Sequence, residues 1–204
     1  IDTGTRCADL DKIVGQITGK PLEVIVTHMH PDHAGCIKYF DKVWMHRADT
    51  VLVPQHAADY QGEFLYMEEG QVFDLGGRKL EVAWMPGHTP GSVVLLDKAN
   101  GDCYSGDAFG SGEVWLQCVP MSPIATFHES CCRMEKLMKE GHIKDIWCGH
   151  YPYLKSSLPL AYIQTMIRIS HRLMNGDQEG SEPYSNYFIK MPPTARKLAE
   201  GRAM

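Results

Sequence analysis

No block of lysine and arginine interrupts this sequence of 204 residues, and its formal net charge is −5. Neutralising phosphates needs a basic face, so nucleic acid is not an expected partner. The seven cysteines include the adjacent pair Cys131-Cys132 but no Cys-x-x-Cys, which argues against both a zinc ribbon and a disulfide framework and for reduced thiols. No apolar run approaches membrane-spanning length, and the opening Ile1-Asp2-Thr3-Gly4 resembles no signal peptide. No membrane association and a cytoplasmic location are the default expectations. Internal repeats and low-complexity tracts are also missing. With 44% hydrophobic and 22% charged residues, the chain suffices for one sizeable α/β core and is short for two, so a single domain over residues 1–204 is expected. No feature specifies an oligomeric state.

Against this background stands Thr27-His28-Met29-His30-Pro31-Asp32-His33, which places three histidines and an aspartate within six residues. It follows Leu22, Val24, Ile25 and Val26, which read as a buried strand bounded by Pro21. Left without ligands, so many polar groups at one strand mouth would have few partners, at a cost in free energy. Imidazole nitrogens and carboxylate oxygens suit zinc, iron or manganese, and a tight loop can aim alternate side chains at two neighbouring ions.

The rest of the chain reads as alternating elements. Leu10, Ile13, Val14 and Ile17 have helical spacing, stopped by Gly19-Lys20-Pro21. Ile37, Tyr39 and Phe40 suggest a short helix, Lys42–His46 a strand, and residues 47–60 a helix interrupted by Pro54. Val72, Phe73 and Leu75, the turn Gly76-Gly77, then Leu80, Val82 and Trp84 form a hairpin pattern that leads to His88. Val93–Leu96 is a buried strand, and Cys103-Tyr104-Ser105 another that delivers Asp107. Residues 122–140 read as a helix with Phe127, Met134, Leu137 and Met138 facing the core, Ile143, Ile146 and Trp147 as a strand delivering His150, and residues 159–174 as an amphipathic helix. The tail from Gly180 is turn-rich.

Thr-His-x-His-x-Asp-His followed by Ala34-Gly35 resembles the signature of the metallo-β-lactamase-fold superfamily of metallohydrolases. Further matching pieces occur in family order: Ile1-Asp2-Thr3-Gly4, Pro86-Gly87-His88-Thr89-Pro90-Gly91-Ser92, Ser105-Gly106-Asp107 and Gly149-His150. The resemblance implies an α/β fold, the four-layer αββα sandwich, with N-terminal strands that would precede Ile1 missing from this sequence. A piece lacking them would expose a sheet edge and be marginally stable. It further implies His28, His30 and His88 as ligands of a first metal, Asp32, His33 and His150 of a second, and Asp107 as the bridging carboxylate. Asp32 and Asp107 then also carry the catalytic assignment. The implied cofactor is a pair of divalent ions, zinc first, with iron or manganese also suited. Such a pair can share a water, lower its pKa and supply hydroxide at neutral pH to attack an ester-like bond of a small-molecule substrate. Asp2 matches a position that braces the metal loop, although capping the following helix would be equally good chemistry.

Asp107 stands where one group of β-lactamases has cysteine, and other lactamase branches also lack this aspartate, so antibiotic hydrolysis is disfavoured. The ligand set resembles that of glyoxalase II-like thioesterases, lactonases and phosphodiesterases. Gly110 stands where the acyl-homoserine lactonases have a tyrosine, which lowers that branch. Phe109, Trp115 and Tyr151 follow ligands closely and are candidates to line the substrate pocket, while Arg196, Lys197 and Arg202 are the loosest candidates for holding an anionic substrate. His46, His56, His128, His142 and His171 match no ligand position and read as surface or packing residues. The alternatives are an iron-dependent oxidoreductase of the same fold, such as a persulfide dioxygenase, and a non-catalytic binding module.

Overall fold

The computed structural model describes residues 1–112, 114–116, 118, 120–177, 184–185 and 190–191; Arg196, Lys197 and Arg202 lie outside them. Helix α1 (Leu10–Ile17) comes first, followed by an extended run through Val24, Ile25 and Val26. The four-residue helix α2 (Pro31–Ala34) holds the second half of the histidine-rich loop. Strand β1 (Lys42–His46) pairs on both sides: Ile25 bridges Trp44 in parallel, and β2 (Glu63–Met67) runs parallel with Trp44 opposite Leu65. Between β1 and β2 lie a 3₁₀ turn (Arg47–Leu52) and helix α3 (Val53–His56). Pro54 sits in the first turn of α3, where a missing N–H costs no helical bond.

A second sheet has five strands in the order β3 (Val72–Asp74), β4 (Lys79–Trp84), β5 (Val93–Asp97), β6 (Asp102–Gly106) and β7 (Asp145–Cys148). Neighbours are antiparallel up to β6, and β6 and β7 are parallel, joined through helix α4 (Ile124–Lys139). The short α5 (Tyr151–Leu154) and the long α6 (Leu160–Met174) follow, with a two-residue pair β8 (Tyr184–Ser185) and β9 (Lys190–Met191) near the end.

Side-chain alternation sorts these elements into layers. All five residues of β5 are buried, because the strand has apolar neighbours on both faces. Val93 and Leu95 pack with Val82, Leu80 and Phe73 against Ile25 and Met67 of the first sheet. Val94 and Leu96 pack on the opposite face against α4 and α6. Helix α4 buries Phe127, Ser130, Cys131 and Met134, the i, i+3, i+4, i+7 stripe that a core-facing helix presents. Outside the first sheet, Val43 and Met45 of β1 join Val26, Ala34, Ile37, Leu52 and Ala57. Helices, sheet, sheet and helices therefore stack as αββα.

Helix α1 forms as its spacing requires, although it buries none of its residues fully and Ile17 is 79% exposed. Two expectations need correction. Leu22 is exposed, so the strand-like run begins at Val24. The expected helix over residues 47–60 is a 3₁₀ turn and one short α-helical turn ending at His56, and β2 supplies a strand that the sequence pattern had not indicated. Among the described residues no helix is long and apolar enough to cross a membrane.

Candidate metal centre

Each of the seven histidines and aspartates implicated by sequence follows a strand or the extended run, on the loops and the short helix at one end of the two sheets: His28 and His30 after Val26, Asp32 and His33 on α2, His88 after β4, Asp107 after β6 and His150 after β7. Loops held by a packed scaffold can carry polar groups that a core could not. Close approach between these loops depends on absent side chains. Gly106 has φ +49°, and a Cβ there would collide with Thr27; a Cβ on Gly149 would sit 2.5 Å from Cε1 of His33 and 2.9 Å from Asp107 Oδ1. The register of β6 against β7 also shifts between Tyr104 and Gly106, an irregularity of the kind that re-aims a strand end.

The seven side chains form two groups, His28 with His30 and His88, and Asp32 with His33, Asp107 and His150, each with its potential ligand atoms within 4.8 Å of one another. In the first, Nε2 of His88 lies 3.2 Å from His28 Nε2 and 3.0 Å from His30 Nδ1. In the second, Nε2 of His150 lies 3.1 Å from Asp107 Oδ2 and 3.2 Å from Asp32 Oδ2, and His33 Nε2 lies 3.4 Å from Asp107 Oδ1. Asp107 also reaches the first group, with Oδ2 at 3.9 Å from His88 Nε2.

This arrangement fits cations. Nδ1 of His88 faces the carbonyl of Trp115 at 2.7 Å, so that nitrogen carries the proton and Nε2 turns a lone pair toward two other ring nitrogens. Nδ1 of His33 donates to Asp2 Oδ2 at 2.8 Å, which leaves Nε2 aimed at Asp107; that nitrogen and Asp107 Oδ1 are buried with no hydrogen-bond partner. Buried polar atoms in that state cost free energy, and a cation between them supplies the missing partner.

Electrostatics divides the groups. Burial, with neighbouring imidazoles, holds His28 well below its ordinary range and takes His30 to about 3, and burial also lowers His88. All three are neutral, the state a metal requires. In the other group burial acts to lower His33, but the carboxylates of Asp107 and Asp2 raise it to about 10; Asp107 and Asp32 raise His150 to about 9. Burial alone would raise Asp107, yet His150 and His33 hold its carboxyl far below the usual range. A divalent cation bound there would answer the same carboxylates and take the place of protons on His33 and His150.

Asp2 ties this loop in place. Its Oδ1 accepts the Thr27 N–H at 2.7 Å, and its Oδ2 accepts from the Thr27 hydroxyl at 3.0 Å and from His33. It does not cap α1, whose preceding residue is Asp9. Replacing Asp2 with Ala is expected to weaken divalent-ion binding at the His33 group roughly 10- to 100-fold, the range seen when a ligand imidazole loses its outer acceptor. Competition with a chelator reads this directly, and unchanged affinity would refute the assignment.

Of the proposed pocket aromatics, Phe109 is corrected: it is fully buried in the layer beneath α4 and α6, where its carbonyl accepts from the Tyr162 hydroxyl. Leaving water stabilises a side chain of this size by about 1.5–3 kcal/mol, a gain that a solvent-facing ring would forgo. Trp115 is half-buried and contacts His88 through its carbonyl, whereas Tyr151 is exposed beside Trp147. His46 stacks on Trp84, His128 bonds Ser170 and His142 is exposed, while His56 packs edge-on to His30 with ring centroids 5.8 Å apart. Sequence reasoning missed Asp49, buried beside the His88 loop. Only its place just after a strand hinted at a role; its partners lie far away in the chain.

The profile of the Metallo-beta-lactamase superfamily matches residues 1–128, and the chain belongs to that superfamily. Its members bind divalent metals, often two. Among similar proteins, the human acyl-coenzyme A thioesterase MBLAC2 is 28% identical over 159 residues, covering 65% of this chain and 57% of the relative. A hydroxyacylglutathione hydrolase of Aeromonas salmonicida is 29% identical over 141 residues, covering 68% of this chain and 51% of the relative. The chain thus spans little more than half the length of these relatives. The crystal structure of TTHA1623 in a di-iron-bound form superposes with a TM-score of 0.56 at 25% identity, covering 74% of this chain and 79% of that one.

Proposed function

We propose that this chain is a metal-dependent hydrolase of ester-like bonds in small molecules, with thioesters as the first substrate class. The observation that carries the reading is Asp107, whose two oxygens face His33 and His150 in one ligand group and His88 in the other. Two divalent ions held there would acidify a water and polarise a carbonyl or phosphoryl oxygen. His28, His30 and His88 would hold one, and Asp32, His33 and His150 the other, with Asp107 serving both.

The chain's own geometry sets the rest. His28 and His88 are closed off from solvent, whereas Asp32 and His150 are partly exposed, so substrate enters over the second group. Asp32, on that open side, accepts the proton that water gives up as its oxygen joins the acyl carbon. When the carbon–sulfur bond breaks, the leaving thiolate takes that proton and departs as a thiol. Trp115, whose carbonyl meets His88, and Tyr151, which directly follows His150, are the proposed substrate contacts. The net charge of −5 favours a small-molecule partner over nucleic acid, and seven free thiols favour the cytoplasm. Thioesters lead because one relative is named a thioesterase and another a hydroxyacylglutathione hydrolase.

Zinc, iron and manganese all suit this nitrogen and oxygen donor set. The di-iron form of TTHA1623 favours iron and keeps a second reading, an iron-dependent oxidoreductase. Elemental analysis of protein purified without added metal, followed by assays on thioester, lactone and phosphodiester substrates, decides between them. Hydrolysis without oxygen uptake supports the proposal; oxygen consumption with a persulfide and no hydrolysis overturns it.

A further inference from the structure

We infer that Asp49 is a positioning residue for the three-histidine group, tying the loop that carries His28 and His30 to the loop that carries His88. The inference rests on the metal-centre reading above. Asp49 lies in the 3₁₀ turn after β1 and is 1% exposed. Its Oδ2 accepts the Met29 N–H at 2.9 Å and the Thr89 hydroxyl at 3.0 Å, and its Oδ1 accepts the Gly91 N–H at 2.6 Å. Met29 stands between His28 and His30, and Thr89 directly follows His88. One carboxylate therefore fixes the backbone of both ligand loops.

The surroundings are built for this contact. A Cβ on Gly91 would lie 2.6 Å from the Asp49 carboxyl carbon, so only glycine allows the approach. Thr89 is held in turn by Ser92, whose Oγ accepts the Thr89 N–H at 3.0 Å and lies 2.8 Å from the Thr89 hydroxyl. Met29 is fully buried among Val26, Val43 and Met45, which anchors the other end of the tie. Burying a carboxylate without a cationic partner is costly unless several donors compensate it, and three do so here. A tie within one element would need only a neutral acceptor. This one joins two loops whose three imidazoles must converge on one point, and ligand geometry tolerates displacements of only about 0.5 Å.

The test titrates Co²⁺ into metal-free full-length chain, with His150→Ala and His28→Ala proteins assigning each binding step to its group. Asp49→Asn keeps the shape but has only one acceptor oxygen, so either the Met29 or the Gly91 N–H must face an amide NH₂. The expected result is a roughly 10- to 100-fold loss of affinity at the His28, His30 and His88 group with a changed Co²⁺ absorption band, while the other group changes less than about threefold. Thr89→Val removes one of the three bonds and gives a smaller loss at the same group. Equal weakening of both groups alongside a lower melting temperature would mark Asp49 as merely structural, and no change at either group would overturn the inference outright. If Asp49→Asn does not fold, Thr89→Val carries the same two outcomes. A wild type that takes up no Co²⁺ at the three-histidine group removes both this inference and the metal-centre reading; normal wild-type uptake with unaltered variants removes this inference alone.

Discussion

Replacing Asp107 with Ala is expected to abolish the second metal and reduce hydrolytic turnover by on the order of 10³, about 4 kcal/mol of transition-state stabilisation. Its two oxygens stand 3.4 Å from His33 Nε2 and 3.1 Å from His150 Nε2, so removing them strips the central negative charge from that group. The three-histidine group keeps its own nitrogens, which converge without help from Asp107, and retains part of its metal. His28→Ala has the reverse effect, weakening the first group. Metals per chain and thioester turnover in the two variants decide the matter. An Asp107→Ala protein with two tightly held metals and full hydrolysis is incompatible with a shared carboxylate.

Gly149→Ala is the second large effect, and it adds a methyl group without removing any ligand. The new Cβ would lie 2.5 Å from His33 Cε1 and 2.9 Å from Asp107 Oδ1, closer than real Cβ contacts allow. His33 and Asp107 must move apart, and overpacking of this kind costs about 1–3 kcal/mol of stability. Because a shift near 1 Å at a reacting centre costs about 10²-fold, turnover should fall by at least that factor. The control is Gly15→Ala in α1, where nothing lies within 4 Å of the added Cβ. That change should stabilise the protein by up to about 1 kcal/mol and leave metal content alone. Equal turnover in the two variants would show that the crowding at Gly149 is relieved elsewhere.

Local pattern foretold much of this architecture. β1 runs from Lys42 to His46 as the alternation of Val43 and Met45 indicates, and the hairpin of β3 and β4 closes with Phe73 opposite Leu80. The histidine-rich loop was legible because its spacing is local. What stayed hidden depends on tertiary contacts. Phe64, Leu65 and Tyr66 of β2 are each only half-buried, so no clean alternation marks the strand. Ile13 and Ile17 have the spacing of core residues, yet both are exposed and α1 buries none of its residues fully. Phe109 follows Asp107 closely but turns into the helix layer. Asp49 resembles an ordinary charged residue early in a helix, and only its pairing with Gly91, across 42 residues of sequence, shows otherwise.

The parallel pairing of β6 and β7, with α4 carried between them, also bears on how the protein acquires and loses its structure. Asp107 and His150 cannot meet until that long-range closure is made, and such closures come slowly because chain entropy is spent before any contact rewards it. An ion that needs both side chains therefore binds the finished fold and not its precursors. Metal should leave the refolding rate nearly flat while prolonging the life of the folded state. At a free concentration one hundred times the dissociation constant, the gain is about 2.7 kcal/mol. Stopped-flow refolding and unfolding across a Zn²⁺ series would resolve the two limbs, and a refolding rate that climbs with metal would mean that the ligands gather before the sheet does.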